Sequence, residues 1–375
     1  MNRITQFAPV ALIALLALAA PLAAQHYIPA QACANLTQSF FTHQYTYPNT
    51  ADPKTVDILA LQPPGVLNMP IVIWSHGGGE GTVAPMSDWA AATGLSCYFS
   101  VSLGHTLPST MAATNFCASQ NPPIAVGPDC EEAVKKTYKA FDISAAIDFL
   151  ETLSAPGGPL EGIINTQKIV VGGHSGGASA MMQIAGAKRH LGTPLTPNPT
   201  VEDTRPVAFV GLSPTGPSYA GFYDKTLGGN GNSWDSIIRP MLTITGDGDH
   251  QCTGQDWPYE CENLGGKAPP WNRRAPFHYS PGVPGSATTK YQLYINDTDA
   301  YHNLYRRNTS RCAVPPTATQ PVNGLKCGEI IDHFDSAVLA FIDFWAGSQL
   351  SGLTYLESHQ IETAHPSLNV SWRIK

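Results

Sequence analysis

Residues 168–182 read KIVVGGHSGGASAMM, which is a β-branched run, then Gly-His-Ser-Gly-Gly, then small residues that suit a helix. This order predicts a strand, a sharp turn and a helix, and residues 173–177 fit the pattern G-x-S-x-G, in which a serine sits at the tip of such a turn. Glycine is expected two residues before and after Ser175, because a side chain there would collide with the neighbouring strand or helix. A glycine-rich turn with an incidental serine would match the same residues, so other parts of the chain must decide between the two.

Segments on both sides of this turn alternate between predicted strands and helices. Apolar or alternating runs predict an arm or edge strand within 25–49, and then strands at 55–61, 70–75, 95–103, 206–212, 240–246 and 290–295. Helical spacing and stop signals predict helices at 86–93, 131–153 and 334–345. Such alternation is typical of an α/β protein with a doubly wound, mostly parallel sheet. No repeat or linker divides the chain, so residues 25–375 are predicted to form a single domain, with long loops at 104–130, 213–239 and 251–289.

The net charge indicates which binding partners to expect, and the first residues indicate the cellular compartment. The 375 residues include 21 Lys and Arg against 28 Asp and Glu, a net charge of −7 without the basic patch that nucleic-acid binding requires. Arg3, an apolar run at 10–20 and small residues at 21–24 predict a signal peptide over residues 1–24, and therefore a secreted or periplasmic protein. A membrane anchor is the alternative, but the run is shorter than the roughly 18 to 20 residues that a span needs. No later segment predicts a transmembrane helix.

The cysteines are expected to form disulfides if the chain is exported, because export exposes thiols to oxidising conditions. The sequence has 8 of them, and their spacing alone does not determine the connectivity. Local pairing would staple three loops rich in Pro and Gly and leave one remaining pair: Cys117–Cys130, Cys252–Cys261, Cys312–Cys327 and, as the remainder, Cys33–Cys97. A zinc site is the alternative, but no Cys-x-x-Cys spacing supports it, so no metal is predicted.

Two acidic residues follow the predicted strand at 240–246. A serine hydroxyl becomes a useful nucleophile only beside a base, and the base needs a carboxylate that orients it. In open parallel sheets such groups gather at the carboxyl ends of the strands. Asp249 is the preferred acid, because a few residues beyond the strand let a carboxylate curl back toward an imidazole, and Asp247 would then brace the turn. Either could instead be an acid that caps the turn.

His302 is the candidate base, since it lies between the last predicted strand and the last predicted helix. Its alternative is an exposed loop histidine, and His333, at the start of that helix, is the fallback base. The candidates then occur in the chain order Ser175, Asp249, His302, one after each of three strands.

Residues 76–79 read His-Gly-Gly-Gly directly after the predicted strand at 70–75. Acyl transfer builds negative charge on a carbonyl oxygen, and backbone amides must point at it. The amides of Gly77, Gly78 and Gly176 are therefore the predicted oxyanion hole. A phosphate-binding loop is the alternative, but the Lys and Ser/Thr of a P-loop are missing.

The walls of the site are predicted from two residues near these groups. His174 precedes the serine and is predicted to bind substrate, and Trp257 belongs to an aromatic loop that would either bind an acyl group or pack onto the body of the protein.

The pairs at 273–274 and 306–307, both Arg-Arg, are interpreted as ordinary surface charge.

Together these motifs resemble the α/β-hydrolase superfamily over residues 54–347, through 76–79, 173–177, 246–249 and His302. Gly-His-Ser-Gly-Gly is similar to the branch of secreted esterases, platelet-activating-factor acetylhydrolases and dienelactone-hydrolase-like proteins. The chain departs from true dienelactone hydrolases, whose nucleophile is cysteine, and from hormone-sensitive-lipase-like esterases, which usually carry Asp at the position of His174.

The resemblance implies an α/β-hydrolase fold and a serine esterase that cleaves small-molecule or polymeric carboxylic esters through a Ser-His-Asp triad and an acyl-enzyme, without a cofactor. Alternatives are a polyester or cutin hydrolase, a lipase, a peptidase, or a binding protein on the same fold. The sequence does not indicate the oligomeric state.

Overall fold

The computed structural model describes residues 26–78, 81–121, 123–190, 201–217, 222–223, 232–249, 270–297, 299–307, 324–364 and 367–375. In these residues nine strands form one sheet in the order β1-β2-β4-β3-β5-β6-β7-β8-β9. The strands are β1 Thr37–Thr46, β2 Pro53–Gln62, β3 Met69–Ser75, β4 Phe99–His105, β5 Ile164–His174, β6 Pro206–Leu212, β7 Met241–Gly246, β8 Lys290–Ile295 and β9 Val370–Ile374.

The centre of the sheet is parallel and its two edges are antiparallel. Every neighbouring pair from β4 through β3, β5, β6 and β7 to β8 is parallel. The pairs β1–β2, β2–β4 and β8–β9 are antiparallel. The predicted mostly parallel α/β sheet is therefore confirmed, and the segment expected to be an arm or edge strand supplies the edge strand β1.

Helices cover both faces of this sheet. They are α1 Ser87–Leu95, α2 Thr110–Ala118, α3 Pro128–Ser154, α4 Gly176–Ile184, α5 Ala275–Tyr279, α6 Gly324–Trp345 and α7 Leu350–Glu357. Alternate residues of β3 face opposite sides, as the pleat requires. Val72 and Trp74 belong to a core with residues of α1 and α6, whereas Ile71 and Ile73 belong to a second core with residues of α3 and α4. Two apolar layers thus enclose the central strands.

The structure corrects several of the predicted elements. The expected loop at 104–130 contains α2, whose first turn is capped by the Ser109 hydroxyl, which accepts from the Ala112 amide at 3.1 Å. The strand expected from residue 95 begins at Phe99, because α1 ends in a turn in which Cys97 has a φ of 66°. The last helix begins at Gly324 rather than 334, and β8 is not the final strand, since α7 and β9 follow it.

Two predicted disulfides are present in the described part of the chain. Cys33–Cys97 ties the N-terminal segment to the turn before β4, and Cys117–Cys130 ties α2 to the first turn of α3. Cys327 is also disulfide-bonded, while its predicted partner Cys312 and the predicted pair Cys252–Cys261 lie outside the described residues. No helix among the residues described is long and apolar enough to span a bilayer.

The carboxylate of Asp142 on α3 is the centre of a buried charge cluster. It is ion-paired with Lys54 of β2 and accepts a hydrogen bond from His105 Nδ1 at 3.0 Å, and both partners are almost wholly buried. Tyr45 of β1 also donates to it, at 2.7 Å. Burial raises the pKa of the Asp142 carboxyl to about 6, so the carboxylate is ionised at pH 8. One side chain therefore links α3 to β1, β2 and β4.

We expect Asp142→Ala to lower the free energy of unfolding by about 3–5 kcal/mol at pH 8, because it leaves the Lys54 ammonium buried without its counter-charge. Urea unfolding followed by circular dichroism measures the loss. The matched control is Asp148→Ala on the same helix. Asp148 has a side chain 65% exposed and shares Arg205 with two other carboxylates, so we expect a change within about 0.5 kcal/mol. Equal losses in the two variants would contradict the stabilising role of the Asp142 cluster.

Candidate active site

Ser175 sits at the turn between β5 and α4 with a φ of 54° and a ψ of −118°. Such left-handed backbone is strained for a residue with a side chain. A Cβ atom at Gly177 would lie 2.0 Å from the Ser75 carbonyl oxygen, and one at Gly173 would lie 2.3 Å from the Gly177 carbonyl oxygen. Both glycines are therefore required for steric reasons, as the sequence predicts. The Ser175 amide donates to the Leu212 carbonyl at 3.0 Å, which fixes the turn to the end of β6.

The parallel register brings the ends of five strands to one edge of the sheet. Ser75 is level with Gly173, His174 with Leu212, Leu212 with Ile244, and Gly246 with Ile295. The connections that leave these strands therefore start side by side, which is why residues distant in sequence meet here. The groups brought to this edge are Gly77 and Gly78, Ser175, Ser213, Asp249 and His302.

His302 and Asp249 form a hydrogen-bonded pair. His302 Nδ1 lies 2.9 Å from Asp249 Oδ1 and 2.6 Å from Ser213 Oγ. Ser213 Oγ donates its own hydrogen to Asp249 Oδ1 at 2.9 Å, so toward His302 it can only accept. The hydrogen shared between His302 and these two oxygens is therefore on His302 Nδ1. The lone pair is then on Nε2. Thr245 Oγ1 donates to the other carboxylate oxygen, Asp249 Oδ2, at 2.7 Å.

The structure places Asp249, and not Asp247, beside the imidazole. Asp247 accepts a hydrogen bond from the Tyr294 hydroxyl at 2.5 Å. Burial alone would raise the pKa of Asp249, but the positive charge of Arg273 and the hydrogen bond from His302 outweigh burial and hold this pKa well below its usual range. Asp249 therefore stays ionised and keeps its Nδ1–H partner. The fallback base, His333, is fully buried within α6.

The interpretation of Arg273 as ordinary surface charge is wrong. Its side chain is only 11% exposed, and its Nε lies 3.1 Å from Asp249 Oδ1. Its guanidinium also donates to the Ser213 carbonyl at 2.9 Å and to the Asp249 carbonyl at 3.1 Å. Arg273 therefore balances the buried carboxylate and joins the connections that follow β6 and β7.

The environment of His302 keeps its imidazole neutral. Burial lowers the pKa of His302, and the nearby charge of Arg273 lowers it further, against the opposing effect of Asp249. An imidazole that is neutral, with its free nitrogen at Nε2, can accept a proton.

His174 lies against His302 and the segment that carries it. Its Nε2 donates to the backbone carbonyl of His302 at 2.8 Å, and the two ring centroids are 4.6 Å apart. The His174 side chain is fully buried, and burial holds its pKa well below the usual value, so the ring is neutral. This position holds the segment that carries His302, and direct contact of His174 with a substrate stays a prediction.

The loop after β3 packs against the serine turn. A Cβ atom at Gly77 would lie 2.7 Å from the Ser175 Cβ, and one at Gly176 would lie 3.6 Å from the Gly78 amide nitrogen. Neither the Gly77 nor the Gly78 amide donates to an acceptor among the residues that the structure describes. The predicted oxyanion donors are therefore brought beside Ser175.

Some predicted features lie outside the described residues, and other features were missed. Trp257 falls in the first group. Ser213 directly follows a strand and Thr245 lies near the end of one, so the strand-end rule could have found them. Arg273 has no such signal, since it comes from a loop distant in sequence from Asp249. Among the described residues no group of three His, Cys, Asp or Glu is placed to hold a metal ion.

We expect His302 to titrate below its ordinary pKa of about 6.5, because burial and Arg273 both disfavour the imidazolium. The titration of its Hε1 proton by NMR measures this. Arg273→Met should raise the pKa of His302, since a repelling charge is lost. The control is the neighbouring Arg274→Met, which removes a guanidinium that donates to Gln292 rather than to Asp249 and should leave this pKa almost unchanged. An unshifted pKa in Arg273→Met would contradict this role of Arg273.

No protein-family model and no curated protein matches this chain. Its function therefore has to be inferred from the residues of the site and their geometry.

Proposed function

We propose that this protein is a secreted serine hydrolase that cleaves carboxylic esters through Ser175, His302 and Asp249. The observation that carries the proposal is the His302–Asp249 pair, joined at 2.9 Å, at the same sheet edge as a serine whose turn has a φ of 54°. A buried carboxylate, an imidazole with a free Nε2 and a serine on a strained strand-to-helix turn are the parts that nucleophilic acyl transfer needs.

In the proposed reaction the Ser175 hydroxyl attacks the ester carbonyl while His302 Nε2 takes its proton. Asp249 holds the imidazole in the Nδ1–H tautomer and balances the imidazolium that forms. His302 then gives the proton to the departing alcohol and later activates the water that releases the acid. Among the residues that the structure describes, no hydrogen bond joins Ser175 Oγ to His302. In free enzymes this contact is often loose and tightens when substrate binds.

Three backbone amides are the proposed donors to the oxyanion. Gly176 follows the serine, and Gly77 and Gly78 belong to the connection between β3 and α1. In α/β-hydrolases the oxyanion hole is built from the residue after the nucleophile and from the loop after the third strand, and the triad occurs in the order Ser, Asp, His. The residues proposed here follow both patterns, which supports membership of the α/β-hydrolase superfamily.

Export is the second part of the proposal. Disulfides persist in oxidising compartments and are rare in the cytosol. Cys33–Cys97 and Cys117–Cys130 therefore support a secreted or periplasmic location. The ester substrate is a small molecule or a polymer, and no cofactor enters the scheme.

A fluorophosphonate probe should label Ser175 covalently, because only an activated serine attacks this phosphorus centre. Peptide mapping by mass spectrometry locates the label. Ser175→Ala should remove the label, and His302→Ala should lower kcat for nitrophenyl esters by about 10³-fold or more. Folded wild-type protein that is not labelled would exclude the serine-hydrolase proposal.

Two matched variants test whether Asp249 or Asp247 is the acid of the proposed triad. Asp249→Asn should lower kcat by about 10⁴-fold, because the wrong histidine tautomer is then favoured, whereas Asp247→Asn should change it by less than about 3-fold. A series of nitrophenyl esters of rising chain length, compared with a nitroanilide of the same acyl group, separates esterase, lipase and peptidase activity.

The pH dependence of kcat/KM follows from the lowered pKa of His302. Only the neutral imidazole acts as a base, so activity should be lost as the pH falls through that pKa and should be constant between about pH 7 and 8. The midpoint is expected below about 6.5, the ordinary value for histidine. Stopped assays across the pH range measure it, with circular dichroism as the control for acid unfolding. A midpoint above about 7 would contradict this assignment of the base.

A further inference from the structure

Lys139 of α3 is a buried lysine that the proposed reaction does not use. Its side chain reaches the loop after β3, where Nζ donates to the His76 carbonyl at 2.8 Å and to the Gly78 carbonyl at 2.7 Å. The residue is 6% exposed. Lysine is almost never buried without partners that satisfy its ammonium. Here two of those partners are backbone carbonyls of the loop that carries the proposed oxyanion donors.

Binding the His76 carbonyl fixes the direction of the Gly77 amide. In a trans peptide the C=O of one residue and the N–H of the next point in opposite directions. The His76 carbonyl points to Lys139, so the Gly77 amide points away from Lys139. The next peptide is held in a similar way, because His76 Nδ1 donates to the Gly77 carbonyl at 2.7 Å and thereby directs the Gly78 amide.

His76 can hold the Gly77 carbonyl only while Nδ1 carries a hydrogen. Burial, followed by the nearby charge of Lys139, lowers the pKa of His76 to about 2. The ring is therefore neutral at any working pH. The short bond to the Gly77 carbonyl then requires the hydrogen on Nδ1, because a carbonyl oxygen only accepts.

A glycine loop needs such a clamp more than other loops do. Glycine has the widest backbone freedom of all residues, and Gly78 adopts a φ of 57°. Donors contribute to catalysis when they are already oriented before charge develops on the substrate. Without a fixed partner, the peptides at Gly77 and Gly78 could rotate, and their amides would have to be ordered again in each turnover.

We propose that Lys139 is a positioning residue that holds the Gly77 amide in the orientation that binds the oxyanion, while His76 holds the Gly78 amide. The inference rests on the proposed ester hydrolysis, and it assigns to α3 a role in transition-state binding. Lys139 acts through the loop backbone and touches no reacting atom in this scheme. The competing role is structural, in which the ammonium only stabilises the fold.

The test replaces Lys139 with Met, which keeps much of the side-chain volume and removes the donors. Kinetics with a soluble nitrophenyl ester should show kcat lower by about 10²–10³-fold, the loss typical of an impaired oxyanion hole, with KM changed by less than about 3-fold. A trifluoromethyl ketone, whose serine adduct carries an oxyanion, should lose affinity by a similar factor. Lys139→Arg, which keeps the charge and the donors, should be more active than Lys139→Met.

Two lysine variants are matched controls. Lys135→Met lies on the same helix with its side chain 52% exposed, and should behave as wild type. Lys54→Met removes another buried lysine, which is paired with Asp142 rather than with the loop. It should lower thermal stability while the folded protein keeps a near-normal kcat.

Each outcome decides the role of Lys139. Folded Lys139→Met protein with wild-type kcat and ketone affinity overturns the proposal, as does a loss of kcat that only follows the loss of folded protein. If the Met variant does not fold, Lys139→Gln is used in its place, since it keeps one donor group. It is judged by the same two measurements, kcat and ketone affinity. Failure of the proposed function is distinct, because wild-type protein would then neither cleave esters nor be labelled at Ser175.

Discussion

The contact between the serine turn and the end of β3 is the constraint on which the site depends. The space at Gly177 is filled by the Ser75 carbonyl, 2.0 Å from where a Cβ would be. This approach brings the start of α4 against the loop after β3, so that Gly77 and Gly176 both lie beside Ser175. Any side chain at position 177 would separate the two loops, and Gly77 would lose its close contact with Ser175.

A second constraint is electrostatic. Asp249 is fully buried, and a buried carboxylate is stable only when it is paired and hydrogen-bonded. Arg273, His302, Ser213 and Thr245 supply these contacts from four different segments. The same contacts set the tautomer of His302. The contacts that neutralise the buried charge of Asp249 are therefore the same ones that fix the hydrogen on His302 Nδ1.

Local patterns were enough to predict much of this fold. Buried parallel strands are continuous apolar runs, so β6 and β8 were predicted at their observed bounds. The pattern was weaker at α2, whose sequence TMAATNFCA has no clear apolar stripe, and at β9, which is short and lies at an edge. Strand-end position also brought Ser175, Asp249 and His302 forward as candidates. By contrast, Arg273 and Lys139 reach the site across long sequence separations, which no local pattern encodes.

Helix α3 carries a disulfide and two buried charged residues at well-separated positions. Its first turn is bound to α2 by Cys117–Cys130, and its buried face carries Lys139 and Asp142. Cys130 and Lys139 are nine residues apart, or about 13 Å along the helix axis at 1.5 Å per residue. Both ends of this span are buried, since Cys130 is 4% exposed and Lys139 is 6% exposed. A single continuous helix therefore runs from the Cys117–Cys130 disulfide to the lysine that binds the loop after β3.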